Sequence, residues 1–172
     1  MASLMENLID ILGQESREYE QLLALTRRKT QVIASANLED LQKITDDEQE
    51  MVGRLSSLEK KRVEVTADIA NVLNKDVAEL KLSNLIDMMS GRPAEQEKLA
   101  AAHDSLRVTV RELQRRNEQN KELLKDALEM VQFEMNLLQA SKAAPETANY
   151  TKNAYNSGVQ MGVSNGNFDA KQ

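Results

Sequence analysis

The stretch LQKITDDEQEMVGRLSSLEKKRVEVTADIANV, residues 41–72, decides the fold class. Ten of its positions follow one another in alternating steps of three and four residues, and eight of the ten are apolar: Leu41, Ile44, Glu48, Met51, Leu55, Leu58, Arg62, Val65, Ile69 and Val72. This spacing is a heptad seam, which predicts a long amphipathic helix that supercoils gently against a neighbour. No run of residues alternates with the two-residue period of a strand.

The residues before this stretch predict a first long helix, about residues 3–36. Its apolar stripe is interrupted by Glu15, Thr26 and Lys29, where we expect looser packing. Asn37 followed by Asp40 is typical of a helix N-cap, because the Asn side-chain oxygen can accept a first-turn N–H. We therefore expect the second helix, about residues 38–73, to follow almost without a loop.

The residues after the stretch predict a short helical connector, about residues 76–89, and then a third long helix, about 93–141. Ser90-Gly91-Arg92-Pro93 separates them, since Gly favours a helix end and Pro a first helical turn. Asn117 and Asn120 fall on the seam of the third helix, where a polar side chain fixes register or leaves an opening for a partner. The predicted fold is therefore all-α: an elongated antiparallel three-helix bundle or coiled coil over residues 1–141.

Residues 142–172 form a different kind of segment. They are rich in Asn and Gly and show no sustained periodicity, so we expect a flexible tail. The tail nevertheless keeps apolar and aromatic side chains, which could order against a partner: Tyr150, Tyr155, Val159, Met161, Val163 and Phe168.

Composition narrows the function classes. The chain of 172 residues has a net charge of −6, no cysteine and one histidine, His103. An acidic surface disfavours nucleic acid and anionic membranes as partners. One histidine without cysteine supplies neither a nucleophile pair nor a zinc cluster, so we predict no catalytic, cofactor or metal site and no enzyme activity. The first residues, MASLMENLIDILGQE, lack the basic region of a signal peptide, and no apolar run is long enough to span a membrane, so we expect a cytoplasmic protein without membrane insertion.

The order of features resembles the FlgN-type flagellar export chaperones. In the first two helices, Glu15, Tyr19 and Leu22-Leu23 precede a basic stretch through Lys29. A break at residues 37–41, an Asp-Glu-Gln run at residues 47–49 and the sequence LEKKR at residues 58–62 follow. Later in the chain, Asn117, Asn120 and Leu123-Leu124 and a tail with Tyr155-Asn156-Ser157-Gly158 fit the same family. The resemblance covers nearly the full length.

The resemblance implies a chaperone that binds hook–filament junction (hook-associated) proteins, keeps them from assembling early and delivers them to the type III export gate. It places the contact with the client's C-terminal helices on the distal third helix and on the tail: Val131, Met135, Leu138, Tyr150, Tyr155, Met161, Val163 and Phe168. Covering the apolar face of a client helix is the known helix-in-groove mode of recognition. Ordering of the tail on the client would keep the affinity moderate.

Two other readings are open from the residues alone. The heptads of the second helix could serve a self-associating structural coiled coil, a possible homodimer without a client, although Glu48 and Arg62 interrupt its seam. A helical-bundle enzyme with carboxylate ligands would need Glu-x-x-His pairs on facing helices. His103 with Glu97 and Asp104 does not supply them.

Overall fold

The computed structural model describes residues 2–143, and within that range the chain is helical and contains no strand. Helix α1 spans Ala2–Ala34, α2 spans Leu38–Leu73, a single 3-10 turn spans Val77–Glu79, α3 spans Leu82–Met88, and α4 spans Pro93–Ala143. Helix α4 is the third long helix of the sequence analysis. The all-α prediction is confirmed.

The junction of α1 and α2 is very short because both helix ends are capped within it. The Asn37 N–H donates to the Val32 carbonyl (3.3 Å) and the Ala36 N–H donates to the Ile33 carbonyl (3.1 Å), which is the Schellman arrangement. Ala36 takes the left-handed conformation that this motif needs, with φ 53°. Asn37 then starts α2, since its side-chain oxygen accepts the Asp40 N–H at 3.1 Å. The predicted cap at Asn37 is therefore present.

The larger apolar core joins the beginning of α1 to the end of α2, the connector and the beginning of α4. Leu8, Leu12, Ile69, Leu85 and Leu99 are fully enclosed in it. Since each of these side chains removes its whole apolar surface from water, each contributes about 1.5–3 kcal/mol to burial.

A second core farther along the bundle gives the direction of α4. Leu22 and Leu23 of α1 pack there with Leu55 of α2 and Leu113 of α4. Leu99 lies beside the start of α1 and Leu113 beside its middle, so α4 runs parallel to α1 and antiparallel to α2. Up to Met130 this is the arrangement of three long helices that the sequence predicted.

The charged interruptions of the α1 and α2 stripes face each other. Glu15 Oε1 accepts from Arg62 Nε at 3.0 Å, and Lys29 Nζ donates to Glu48 Oε2 at 2.6 Å. Glu15 and Lys29 are two heptads apart in α1, and Glu48 and Arg62 are two heptads apart in α2, so one antiparallel register satisfies both pairs.

The seam of α2 is buried or half-buried at every predicted position except Val72.

The third interruption is buried as well. Thr26 is 1% exposed, and its hydroxyl donates to the Leu22 carbonyl at 2.8 Å. Asn120 of α4 lies beside it: its amide donates to the Thr26 carbonyl (3.0 Å), and its carbonyl oxygen accepts from the Thr30 hydroxyl (2.6 Å). The expectation of looser packing is therefore wrong at Glu15 and Thr26. Glu15 is buried against Arg62 of α2, and the Thr26 hydroxyl is buried because it donates to a carbonyl of its own helix.

The chain divides into two units, residues 1–130 and residues 131–172. The cores and ion pairs above belong to the first unit. The described part of the second unit is residues 131–143, the last turns of α4.

Candidate protein-binding surface

The last turns of α4 carry five large apolar side chains that are at least half exposed to solvent: Val131, Phe133, Met135, Leu137 and Leu138. Their exposed fractions run from 50% at Met135 to 64% at Phe133. We call these five residues the distal surface. Large exposed apolar side chains are ordinary when they are scattered, but a group within eight consecutive residues makes this part of α4 a candidate interaction surface.

Helical geometry arranges the distal surface in two stripes. Val131, Met135 and Leu138 follow one another at steps of four and three, so they lie on one face. Phe133 and Leu137 are four residues apart and lie on a second face. A partner helix laid along either stripe would meet anchors at the spacing used in helix-in-groove recognition.

Charge is sparse on this part of α4. Residues 131–143 contain one acid, Glu134, and one base, Lys142. Two neighbouring amides satisfy each other, since Gln132 Nε2 donates to Asn136 Oδ1 at 3.1 Å. Few ionic groups would have to lose their water when an apolar partner covers the distal surface, which keeps the desolvation cost of binding low.

The predicted site residues fall into two groups. Val131, Met135 and Leu138 lie together on one exposed face of α4. Tyr150, Tyr155, Met161, Val163 and Phe168 lie outside the described residues. The sequence analysis missed Phe133 and Leu137, because it followed a single seam along the helix. Their four-residue spacing and the drop in charge after Glu134 were the signals that could have shown them.

Earlier in α4, acidic and basic side chains form ion pairs with one another. Glu112 accepts hydrogen bonds from Arg115 (2.8 Å) and Arg116 (3.1 Å), and these bonds lower the pKa of the Glu112 carboxyl to about 2. Lys121 lies 3.7 Å from Glu118. Arg115, Arg116 and Lys121 therefore alternate with acids on a mixed-charge face of this helix.

Comparison with known proteins gives the family. The family described as "FlgN protein" matches residues 1–158. The chain belongs to the FlgN family. A curated relative, "Uncharacterized protein YvyG" of Bacillus subtilis (strain 168), is 26% identical over 120 residues, which cover 70% of this chain and 71% of the relative. No solved structure matches the chain significantly.

FlgN proteins are chaperones of flagellar biogenesis, and a chaperone needs a surface that can hold another protein. In this FlgN protein the seam of α2 packs against α1 and α4 within the chain, apart from the exposed Val72. The distal surface is uncovered: every residue from 125 to 143 is exposed. The observation that suggested a self-associating coiled coil through α2 is thus accounted for inside one chain.

Two further results concern other chemistry. Among residues 2–143, no group of three His, Asp or Glu side chains is placed to hold a metal ion. None of the described helices combines the length and the apolar character needed to cross a membrane. His103 is half-buried on α4, with its Nδ1 3.3 Å from Asp104 Oδ1.

Proposed function

We propose that this FlgN-family protein is a cytoplasmic flagellar export chaperone. It binds hook–filament junction proteins through their C-terminal helices, keeps them from assembling early and delivers them to the type III export gate. It acts by binding, without catalysis. Membership of a chaperone family supports the general role, and the distal surface is the observation that carries the proposal of client binding.

A client subunit that assembles through amphipathic helices has an apolar face that must be covered until export. The distal surface offers two apolar stripes on a helix with little charge, which suits a partner helix of the same character. Leu138 on the first stripe, at 61% exposure, and Phe133 on the second, at 64%, are the most exposed anchors that such a helix could bury.

The proposal extends to residues 142–172. Tyr150, Tyr155, Met161, Val163 and Phe168 would add contacts as this segment orders on the client. Ordering costs binding free energy, so the complex would be weaker than its buried area suggests. A moderate affinity suits a chaperone that must release its client at the export gate.

Calorimetry tests the proposal. The full-length protein is titrated with the C-terminal region of a hook–filament junction protein from the same bacterium, beside a truncated chain that ends at Ser141. We expect binding by the full-length protein and much weaker binding by the truncated chain. Unchanged binding by the truncated chain would move the whole contact to the helices. Absence of binding by a folded full-length protein would contradict the proposal.

A further inference from the structure

A cleft of about 480 Å³ opens between α1 and α4 near the end of their contact. Its lining includes Asn120, which is 3% exposed and hydrogen-bonded to α1, and the half-buried Leu124. Leu128, which also lines the cleft, is 69% exposed. All residues that line the cleft belong to residues 1–130, so the cleft shares no residue with the distal surface.

The lining of this cleft is basic, although the chain as a whole is acidic. Three of its lining residues are lysines, Lys29, Lys121 and Lys125, and one is an acid, Glu129, whereas the whole chain has a net charge of −6. Lys29 is held by Glu48 at 2.6 Å, and Lys121 approaches Glu118 at 3.7 Å on the exposed face. Within residues 2–143, Lys125 forms no ion pair. A cleft lined by Leu124 and Leu128, with the exposed ammonium groups of Lys121 and Lys125 beside them, is complementary to a segment that is apolar on one side and acidic on the other.

We propose that this basic cleft binds an acidic amphipathic helix of the client. The inference rests on the proposed function and adds a second contact that selects clients by charge. The chain's own C-terminal segment is a poorer occupant, because residues 144–172 carry two lysines and two acids and therefore no net negative charge. Helix-in-groove binding supplies the apolar contact, and the lysines favour clients with carboxylates beside the apolar stripe.

The charge-reversal variant Lys121→Glu/Lys125→Glu tests the cleft in the full-length protein. Both side chains are exposed, so the variant should fold as the wild type does. The matched control is Lys61→Glu/Lys98→Glu, which makes the same change in net charge at two exposed lysines outside the cleft. Affinity for the C-terminal region of the junction protein is measured by calorimetry at low and at physiological salt.

We expect the cleft variant to bind the client about ten-fold more weakly than the wild type at low salt, with a smaller difference at physiological salt because exposed charges are screened there. The control variant should stay within about two-fold of the wild type, allowing for the general effect of net charge. A client region whose acidic residues are replaced by the corresponding amides should bind the wild type and the cleft variant equally.

Equal binding of the acidic client by wild type and cleft variant would overturn the inference and leave the proposed function intact. Absence of client binding by the wild type would overturn both. A second copy of the chain is the rival occupant, since Asp46 and Asp47 of α2 are exposed acids. Sedimentation showing a salt-sensitive dimer that the cleft variant loses, with client affinity unchanged, would assign the cleft to self-association.

Discussion

Replacing Arg62 by methionine should destabilise the bundle by about 3 kcal/mol. Glu15 is 3% exposed, one of its oxygens lies 3.0 Å from Arg62 Nε, and its other oxygen, Oε2, has no hydrogen-bond partner among the described residues. Arg62 is therefore the group that compensates this buried carboxylate. Methionine keeps most of the apolar stem of arginine and removes the charge, so the substitution isolates the ion pair.

The magnitude follows from how buried each partner is. Removing one member of a buried ion pair costs about 3–5 kcal/mol, because the other charge is left without compensation. The lower end applies here, since the Arg62 side chain is 29% exposed and water can approach the vacated position. For a chain of this length, about 3 kcal/mol lowers the melting temperature by about 6–12 °C.

Thermal and urea unfolding followed by circular dichroism would measure the effect. Arg54→Met is the matched control, because Arg54 pairs with Glu18 and Glu50 at the surface with 41% of its side chain exposed. It should cost less than about 1 kcal/mol. The double variant Glu15→Leu/Arg62→Met removes both charges and should recover most of the lost stability. A double variant as unstable as Arg62→Met alone would refute the reasoning, since packing rather than the orphaned charge would then explain the loss.

Three further predictions concern the helix junction, the α1–α4 contact and pH. Ala36→Gly should raise stability by about 0.5–1 kcal/mol in urea unfolding, because Ala36 has a positive φ that glycine adopts freely; a loss of stability would contradict the cap geometry. Asn120→Ala should lower the free energy of unfolding by about 1.5 kcal/mol in the same assay, because two hydrogen bonds to α1 are lost. The control Asn117→Ala, at an exposed position, should lower it by less than about 0.5 kcal/mol. Equal losses would exclude a role for the two bonds. Burial raises the pKa of the Tyr19 hydroxyl above 10.0, and the nearby Glu15 carboxylate raises it further. The protonated Tyr19 therefore contributes fully to stability below pH 10, and this contribution is lost as the pH rises through the pKa of the folded state. Wild type should therefore lose more stability than Tyr19→Phe between pH 9 and about 11.5, and identical losses would show that Tyr19 does not titrate differently on unfolding.

Much of the bundle follows from local rules that act within one helix. The heptads of residues 41–72 and the cap at Asn37 require only the side-chain spacing of a helix and the bonding of its first turn, so the sequence was enough to predict them. The partners of Glu15 and Thr26 were not predictable in the same way. Both residues interrupt the α1 stripe. Only the register of α2 shows that Arg62 pairs with Glu15, and only the position of α4 shows that Asn120 lies against Thr26 and donates to its backbone carbonyl.

Only part of the distal surface was predicted, because a pattern within one helix does not show the neighbouring helices. A seam read from sequence shows which side chains share a face, but it does not show where the partner helices end. Val131 and Leu138 continue the seam and Met135 lies on the same face, and the exposure of all three follows from the absence of covering residues there in the described chain. Phe133 and Leu137 lie off the seam and would have been assigned to a solvent face. Once the seam is uncovered, both stripes become available to a partner.

If the distal surface holds the client, polar substitutions on its first stripe must weaken client binding, and calorimetry measures this. The variant Val131→Ser/Met135→Ser/Leu138→Ser is titrated with the C-terminal region of a junction protein, beside the control Val52→Ser/Val63→Ser, which removes two equally exposed apolar side chains of α2. We expect the distal variant to lose at least about 100-fold in affinity, because apolar anchors contribute about 1–2 kcal/mol each and every 1.4 kcal/mol is tenfold. The control should bind as the wild type does. A distal variant that keeps its fold and binds the client with unchanged affinity would show that the distal surface does not hold the client.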